Sequence, residues 1–561
     1  MVEDSTFTRV RTHGIFETKS IVSSLVHRYG GCMRLKSLPS VAAVLLVAGS
    51  LAGVALSSRV QADTWENETF VRSFATILQV VQDNYYEETK PDQLVEGAIN
   101  GMLRTLDPHS HYLNLKAFRS MREEQRGSFT GLGIVIQKLG RDRPLTVISP
   151  IDGTPAARLG IRAGDIIARI NGTTTDGMTS SEAVDLLRGP KGTSVNITVT
   201  RPGFTEQLEF EVTRDTIPTD SVVSPYMIEP DTGYIKIRNF TQTTSKELHA
   251  ALEKLDRQGM KRLILDLRGN PGGLLDQAVS VSGTFLERGK KLVYTRGRIK
   301  GSNKDYYANE DASYPDLPLV VLVNRGSASA SEIVAGAIQD HDRGLIVGET
   351  TWGKGLVQSV YPLSHSNALA LTTAKYYTPS GRLIQRDYDD LEDYVAYRTD
   401  ENYEPSFDQS TRRFTDGGRT VYGGGGIAPD TEVKLEEPST FITRMYRTSA
   451  FFRFAVAYLS RHPEVPEDFQ MTDQVLEEFR QLLLDEEIPF EESELQVDRR
   501  NISMFVRSEV LSARYGLVWS NRVRNEYDAQ VQKALTLFPQ ARELAMLADH
   551  PAGGAAAALP R

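Results

Sequence analysis

The sequence predicts a multidomain protein of mixed α/β class. Its 561 residues exceed what one hydrophobic core usually organises, so we expect about three or four domains. In the central region, apolar runs at 234–238 and 263–267 predict two strands, and a helical pattern at 246–257 lies between them. This β–α–β order is typical of a mixed α/β core. Apolar residues at helical spacing before residue 107 and after residue 439 predict helical segments on both sides of that core.

Composition narrows the class of protein. The chain is 40% hydrophobic and 24% charged, as soluble globular proteins are. Its formal net charge of −9 gives no basic surface, so we expect no nucleic-acid partner. Cys32 is the single cysteine, which excludes an internal disulfide.

The amino terminus has the pattern of a secretory signal. Met33, which we expect to be the true initiator, is followed by a basic start and an apolar run from Val41 to Leu56. Ala62 ends a stretch that permits cleavage. The apolar run is shorter than the about 20 residues of a membrane span, and an uncleaved membrane anchor is the alternative. We therefore expect an extracytoplasmic protein, periplasmic or secreted, with residues 1–62 as extension and signal or anchor.

A candidate nucleophile lies where a strand is expected to turn into a helix. The run Leu319 to Val323 predicts a buried strand, and Glu332 to Ile338 predicts a helix. Ser329 and Glu332 have capping-box spacing. Ser329 is therefore expected beside unpaired backbone N–H groups, which can hold the oxyanion of an acyl-transfer reaction. The same pattern also fits a serine that only caps a helix.

Lys354 is the candidate base. Burial disfavours a charged lysine, so a buried Lys354 can accept a proton. Gln358, four residues on, is expected on the same face and can orient the amine. His341 is a weaker candidate, because it lies in a polar run typical of a solvated helix end. The segment 348–355 also resembles a phosphate-binding P-loop, but Gly355 replaces the Ser or Thr that would bind magnesium.

Together the two segments carry a family resemblance. Ser-Ala-Ser-Ala-Ser-Glu-Ile at 327–333 and Thr-Trp-Gly-Lys-Gly-Leu-Val-Gln at 351–358 resemble the C-terminal processing peptidases, also called tail-specific proteases. The resemblance implies a serine endopeptidase in which Ser329 is the nucleophile, Lys354 the general base and Gln358 the support of the lysine. It implies no metal and no organic cofactor.

The resemblance also implies an oxyanion hole and a role for a histidine-containing turn. The segment from Asp266 to Gly273 would supply one donor, from Gly272 or Gly273, and Ala330 would supply the other. The choice between the two glycines stays open. The Leu-Asp-Pro-His-Ser run at 106–110 resembles a segment whose role in the family is structural.

A PDZ domain is implied for residues 128–202. Its carboxylate-binding loop would consist of Gly131, Leu132, Gly133 and Ile134. The strand that follows would pair with the substrate's C-terminal end by β-augmentation. A helix at 179–187 would line the groove, and Arg188 directly after it is expected to couple the PDZ domain to the catalytic core.

These inferences divide the chain. The expected parts are an N-terminal helical region at 63–127, a protease core at 203–436 with an insertion at 387–424, a C-terminal helical domain at 437–550 and a disordered tail at 551–561. Expected partners are protein substrates bound through their C-terminal tails, an adaptor protein, and a second copy bound through the N-terminal helices. The insertion either covers the site or binds another protein, and the sequence leaves this choice open. Alternative functions are a catalytically inactive PDZ adaptor or scaffold and a P-loop nucleotidase.

Overall fold

The computed structural model describes residues 68–138, 143–399 and 408–549. The predicted signal segment, Cys32 and the tail at 551–561 lie outside these residues. The chain divides into one unit that ends at Ala98 and a second that begins at Ile99. Among the described helices, none has both the length and the apolar character that a bilayer span requires.

The first unit is helical, as the sequence predicts. It contains a helix at 68–84 (α1) and the start of Pro91–Arg104 (α2). Pro91 begins α2, a position that suits its fixed φ angle and missing N–H group.

The second unit continues with β1 (His111–Leu113) and α3 (Leu115–Arg126). Asn114 caps α3 by accepting a hydrogen bond from the N–H of Ala117, and Gly127, with a φ of 69°, ends it. A small domain follows, corresponding to the predicted PDZ domain. Its elements are β2 (Ser128–Gly131), β3 (Ile134–Lys138), β4 (Leu145–Pro150), α4 (Pro155–Arg158), β5 (Ile166–Ile170), β6 (Thr173–Thr174), α5 (Ser180–Leu187), β7 (Ser194–Thr200), β8 (Leu208–Thr213) and β9 (Asp215–Pro218).

This small domain is built on an antiparallel sheet with the order β3-β4-β5-β7-β8, in which β6 pairs with β5. The sheet continues past residue 202, where the sequence predicts the domain to end, because β8 pairs along the length of β7. β3 forms one edge of the sheet, and α5 packs beside it. The domain therefore has an open strand edge next to a helix.

The central α/β core contains two sheets. Its elements are β10 (Val222–Glu229), β11 (Thr232–Ile237), α6 (Thr244–Arg257), β12 (Arg262–Asp266), α7 (Leu275–Gly283), β13 (Lys291–Arg296), β14 (Lys304–Tyr307), β15 (Leu319–Val323), α8 (Ala330–Asp340), β16 (Leu345–Gly348), β17 (Leu356–Pro362), β18 (Ala368–Tyr377), α9 (Leu391–Thr399), β19 (Arg413–Phe414), β20 (Thr420–Val421) and β21 (Thr431–Glu432). Single 3-10 turns occur at Lys300–Ser302, Ser364–Ser366 and Gln409–Thr411.

The larger sheet has the order β10-β11-β12-β15-β16-β21. Its strands are parallel from β11 onward, and β10 is antiparallel to β11. Strands such as Leu319–Val323 are buried on both faces and read as continuous apolar runs for that reason. The second sheet has the order β1-β18-β13-β14, with β17 beside β18.

The C-terminal region is helical, as predicted. Its helices are α10 (Thr440–Arg447), α11 (Ala450–Arg461), α12 (Asp473–Asp485), α13 (Glu492–Val497), α14 (Arg499–Tyr515), α15 (Leu517–Tyr527), α16 (Ala529–Thr536) and α17 (Phe538–Asp549). The helical periodicity that runs from residue 440 to residue 459 is interrupted at Ser449, which has a left-handed φ of 55° and separates α10 from α11. Helices α16 and α17 pack on the larger sheet, where Val531, Leu537 and Phe538 share a core with Ile264 and Val320.

Candidate active site

Three loops of the α/β core meet at one edge of the larger sheet. They follow β12, β15 and β16, which are neighbouring parallel strands. Loops after parallel strands gather at the carboxyl edge of the sheet, where α/β proteins usually bind ligands. The loop after β12 contains the glycines of the predicted oxyanion hole, the loop after β15 contains Ser329, and the loop after β16 contains Lys354. The topology therefore brings the sequence motifs together.

Ser329 is the residue before the first turn of α8, as the capping pattern predicts. Its φ of +56° is rare for a residue other than glycine and indicates local strain. The backbone N–H of Ser329 donates to the Glu332 carboxylate over 2.7 Å. This is the glutamate half of a capping box, and it fixes the turn that presents the serine.

The Glu332 carboxylate links the two candidate residues. It accepts from the backbone N–H of Ser329 and, over 2.9 Å, from that of Lys354. Its other oxygen accepts from the N–H of Gly353 and the hydroxyl of Thr351. Burial raises the pKa of Glu332, and the four hydrogen bonds oppose that shift.

Tyr376 makes the complementary link on the carbonyl side. Its buried hydroxyl lies 2.6 Å from the carbonyl oxygen of Lys354 and 3.0 Å from that of Ser329. Glu332 therefore accepts from both N–H groups, and the single O–H of Tyr376 lies within hydrogen-bond distance of both carbonyls. The sequence predicts no such role for either residue. The capping-box spacing of Glu332 was a signal for its contact with Ser329, but Tyr376 lies on β18 and has no local signal.

Lys354 is half-buried, and burial lowers the pKa of its amine. Its Nζ atom donates to Oε1 of Gln358 over 2.9 Å, which is the contact expected from their spacing. Both Ser329 and Lys354 are described, and no direct hydrogen bond joins Nζ to the serine hydroxyl. The structure thus places the lysine in the orienting contact with Gln358.

Gln358 is itself oriented by the turn that precedes β1. Its Nε2 donates to the carbonyl oxygen of His109 over 2.6 Å. Asp107 holds this turn by accepting from the N–H groups of His109 and Ser110 and from the Ser110 hydroxyl. The structural role expected for the turn is therefore specific: it fixes the amide that contacts the lysine. Among the described residues, no group of three or more His, Cys, Asp or Glu could hold a metal ion.

The two glycines of the predicted oxyanion hole differ in their hydrogen bonds. The N–H of Gly272 donates to Oδ1 of Asn270 over 2.8 Å. In the described part of the chain, the N–H groups of Gly273 and Ala330 have no acceptor. A Cβ atom at Gly272 would lie 2.9 Å from the nitrogen of Ala330, so the glycine loop runs directly beside the start of α8. This arrangement favours Gly273 over Gly272 as the free donor.

The prediction that His341 lies at a solvated helix end is wrong. The residue is buried at the opposite end of α8 from Ser329. Its Nδ1 lies 2.8 Å from the Asp416 carboxylate and its Nε2 lies 2.7 Å from the carbonyl of Lys291. The neighbouring charges are also paired inside the fold, Asp340 with Arg382 and Asp342 with Arg419.

The P-loop alternative lacks its structural context. A phosphate-binding P-loop leads into a helix whose N-terminus faces the phosphates. The segment 348–355 leads instead into β17. Its lysine is turned to Gln358, and its backbone N–H groups at Gly353 and Lys354 are engaged by Glu332.

The predicted carboxylate-binding loop lies between β2 and β3. Gly131 ends β2, Ile134 begins the edge strand β3, and Leu132 and Gly133 form the turn between them. The carbonyls of Leu132 and Gly133 accept hydrogen bonds from the N–H groups of Ala156 and Ile151. Both carbonyls are therefore bound within the domain. A carboxylate-binding loop presents its N–H groups to the ligand, and that role of this loop stays a prediction.

Arg188 follows α5 and contacts the segment that leads into the small domain. Its Nη1 donates to Glu123 on α3 over 3.0 Å, and its guanidinium lies over the Phe129 ring. Residues Ala117, Phe118 and Met121 of α3 pack against β18 of the core. Arg188 therefore lies on a contiguous path of contacts between the two domains.

Known protein families match several segments of the chain. Four family models match: peptidase family S41 at residues 231–391, a PDZ domain at 146–201, the N-terminal domain of the activating protease CtpB at 50–117, and the C-terminal helical domain of a probable PDZ-protease at 441–497.

Individual relatives match over much of the chain. A carboxy-terminal-processing protease of Bartonella bacilliformis is 43% identical over 350 residues, which cover 61% of this chain and 80% of that protein. The carboxy-terminal processing protease CtpA of Bacillus subtilis is 39% identical over 307 residues, covering 54% of this chain and 65% of that protein. Among solved structures, the photosystem II D1 C-terminal processing protease is 29% identical, with a TM-score of 0.33, and the match covers 64% of this chain and 86% of that one.

Proposed function

Because this chain belongs to the carboxy-terminal-processing proteases and is therefore a serine-type peptidase with a PDZ domain, we propose that Ser329 and Lys354 form its catalytic dyad. The observation that carries this proposal is the shared support of the two residues. Glu332 binds both backbone N–H groups, and Tyr376 lies against both carbonyls. These shared contacts fix the backbone of the strained serine relative to that of the half-buried lysine. A catalytic dyad needs such a preorganised geometry.

The reaction follows from the protonation states. The neutral amine of Lys354 takes the proton of the Ser329 hydroxyl, and the oxygen attacks the carbonyl carbon of the scissile bond. The N–H groups of Gly273 and Ala330 stabilise the oxyanion. Lys354 then gives its proton to the leaving amine, and water releases the acyl group from the serine. In the productive state Nζ turns toward the serine hydroxyl, while Gln358 continues to hold another N–H of the amine.

We propose that substrates are proteins captured by their C-terminal tails. The tail would add to the open edge of β3, between that strand and α5, and its carboxylate would meet the loop Gly131–Ile134. Arg188 would then couple the occupied domain to the core through Glu123. Replacing Arg188 with Ala is expected to slow cleavage and to leave the folded state intact, and unchanged turnover would exclude this coupling.

The site of action that we propose is extracytoplasmic, periplasmic or secreted, with an uncleaved amino-terminal anchor as the alternative. The support is the signal pattern in the sequence.

We further propose a homo-oligomer formed through the N-terminal helices, since Phe70, Ile77 and Val80 of α1 are exposed. Cell fractionation and the mass of the purified protein in solution test these two proposals.

The dyad is tested by proteolysis. The purified protein is mixed with an unfolded protein that ends in an apolar tail, and the fragments are followed by mass spectrometry. Parallel reactions use Ser329→Ala and Lys354→Ala. Cleavage that both substitutions abolish is the expected result, and cleavage that survives Ser329→Ala would reject the nucleophile. If the parent neither cleaves nor reacts with serine-directed probes but still binds the tail, the chain is a PDZ adaptor.

A further inference from the structure

Helix α9 belongs to the insertion at 387–424 and lies close to the candidate base. Its Tyr394 side chain is only 3% exposed. The hydroxyl of Tyr394 lies 2.9 Å from Nε2 of His109 and 3.1 Å from Nε1 of Trp352. The tyrosine ring meets both of these rings edge-on. The insertion thus makes a buried polar contact with Trp352, which lies two residues before Lys354 in the chain.

The direction of these hydrogen bonds follows from the donors available. The indole N–H of Trp352 can only donate, so the Tyr394 oxygen accepts from it. The hydroxyl hydrogen of Tyr394 is then free to be donated to Nε2 of His109. Donation in this direction requires the neutral His109 tautomer that carries its proton on Nδ1. Burial and the nearby charge of Lys354 lower the pKa of His109 to about 4, in agreement with a neutral ring.

The backbone of His109 carries this contact to the base. Its carbonyl oxygen accepts from Nε2 of Gln358 over 2.6 Å and from Nδ1 of His111 over 2.6 Å. Since the amide nitrogen of Gln358 is held by this carbonyl, its amide oxygen must face the other way. That oxygen is the acceptor for Nζ of Lys354. The orientation of the Gln358 amide therefore depends on the position of His109.

We propose that Tyr394 is a positioning residue for the catalytic base, which it acts on through His109 and Gln358. The proposal rests on the proposed role of Lys354. It gives the insertion a function in catalysis: its helix holds the side chain of His109, while Asp107 holds the backbone of the same turn. Together the two contacts fix the carbonyl that orients Gln358.

The matched pair of variants is Tyr394→Phe and Tyr397→Phe. Both tyrosines are buried on α9, and Tyr397 donates its hydroxyl to the carbonyl of Thr350 over 2.5 Å. Each variant keeps the aromatic ring and loses one hydroxyl group that ties α9 to the rest of the protein. We expect Tyr394→Phe to lower kcat about tenfold with KM nearly unchanged, because a loosened amide misplaces the amine. Tyr397→Phe is expected to change kcat less than about twofold.

A second measurement is independent of activity. Histidine labelled with 15N is introduced into Ser329→Ala protein, with and without Tyr394→Phe. Loss of the donor is expected to shift the Nε2 resonance of His109, and Tyr397→Phe is expected to leave it in place. The proposal is overturned if the two tyrosine variants lower kcat equally, if the loss lies in KM alone, or if the His109 resonance does not respond to Tyr394→Phe. Cleavage that persists in Lys354→Ala would instead reject the proposed base, while the resonance still reports on the contact.

Discussion

Arg268 in the glycine-rich loop of the core and Asp528 at the start of α16 form an ion pair, with 2.7 Å between Nη1 and Oδ2. The same Nη1 donates to Oε1 of Gln530 over 2.9 Å. The rest of the guanidinium binds Asp266, which is fully buried at the end of β12. Although burial opposes ionisation of Asp266, the charges of Arg268 and Lys236 hold the pKa of its carboxyl below the ordinary value. The C-terminal helices thus support the loop that leads to Gly273.

Replacing Asp528 with Ala should destabilise the protein and disturb catalysis together. The substitution leaves one end of a buried guanidinium short of an acceptor, so we expect a loss of about 1–3 kcal/mol in the free energy of unfolding. We also expect a lower kcat, because Arg268 begins the loop of the oxyanion donors. Urea unfolding and steady-state kinetics measure the two effects. Asp185→Ala, which breaks an exposed ion pair with Lys116, is the control and should cost less than about 1 kcal/mol.

A second prediction concerns Glu332→Gln. Both carboxylate oxygens accept two hydrogen bonds each, and an amide can offer only one oxygen. The amide nitrogen would then face two donors, either at Ser329 and Lys354 or at Thr351 and Gly353. We expect kcat to fall about a hundredfold or more, since the serine and the lysine lose a common support. A variant that keeps the parental kcat would show that the dyad geometry does not depend on this carboxylate.

The sequence predicts the contacts of this site that form between residues close together in the chain. It does not predict those that form between distant residues. The turn at Ser329 follows from an apolar strand, small residues and a glutamate three positions on, so local patterns predict it. The contact of Lys354 with Gln358 is also local. The carbonyl of His109 is 249 residues away from Gln358, and a backbone carbonyl leaves no mark in the sequence. Its role could be found only from the fold.

The prediction of a solvated segment around His341 fails for the same reason. Four polar residues in succession usually indicate a solvated segment, because a buried charge is costly without a partner. Here the partners are Arg382, Asp416 and Arg419, which come from later segments of the chain. Nothing next to His341 signals that they will meet it. The break at Ser449 is a smaller case, because helical periodicity continues across a single left-handed residue.

The pH dependence of cleavage should report the lysine. Burial lowers the pKa of Lys354 from its ordinary value of 10.5, and the base must be neutral to act. The rate of cleavage should therefore be low at pH values where the amine is protonated. It should rise with pH as the amine loses its proton, with a midpoint below the pKa of an exposed lysine. A profile of kcat/KM against pH measures it. Lys354→Arg should be inactive across the profile, because a guanidinium is not deprotonated in proteins. An acid limb that is unchanged in that variant would assign the titration to another group.

The last prediction separates backbone strain from steric contact in the oxyanion loop. Gly269 and Gly272 both have positive φ angles, of 68° and 101°. A Cβ at Gly269 meets nothing within 4 Å, whereas at Gly272 it would lie 2.8 Å from the carbonyl oxygen of Ala328 and 2.8 Å from Cβ of Ser329. Gly269→Ala should therefore cost about 1 kcal/mol of stability and keep most activity. Gly272→Ala must push the loop away from Ser329, so we expect activity to be lost even where the protein stays folded, as circular dichroism and cleavage assays can show. Equal effects of the two substitutions would mean that strain alone, and not the close approach of this loop to the serine, determines the outcome.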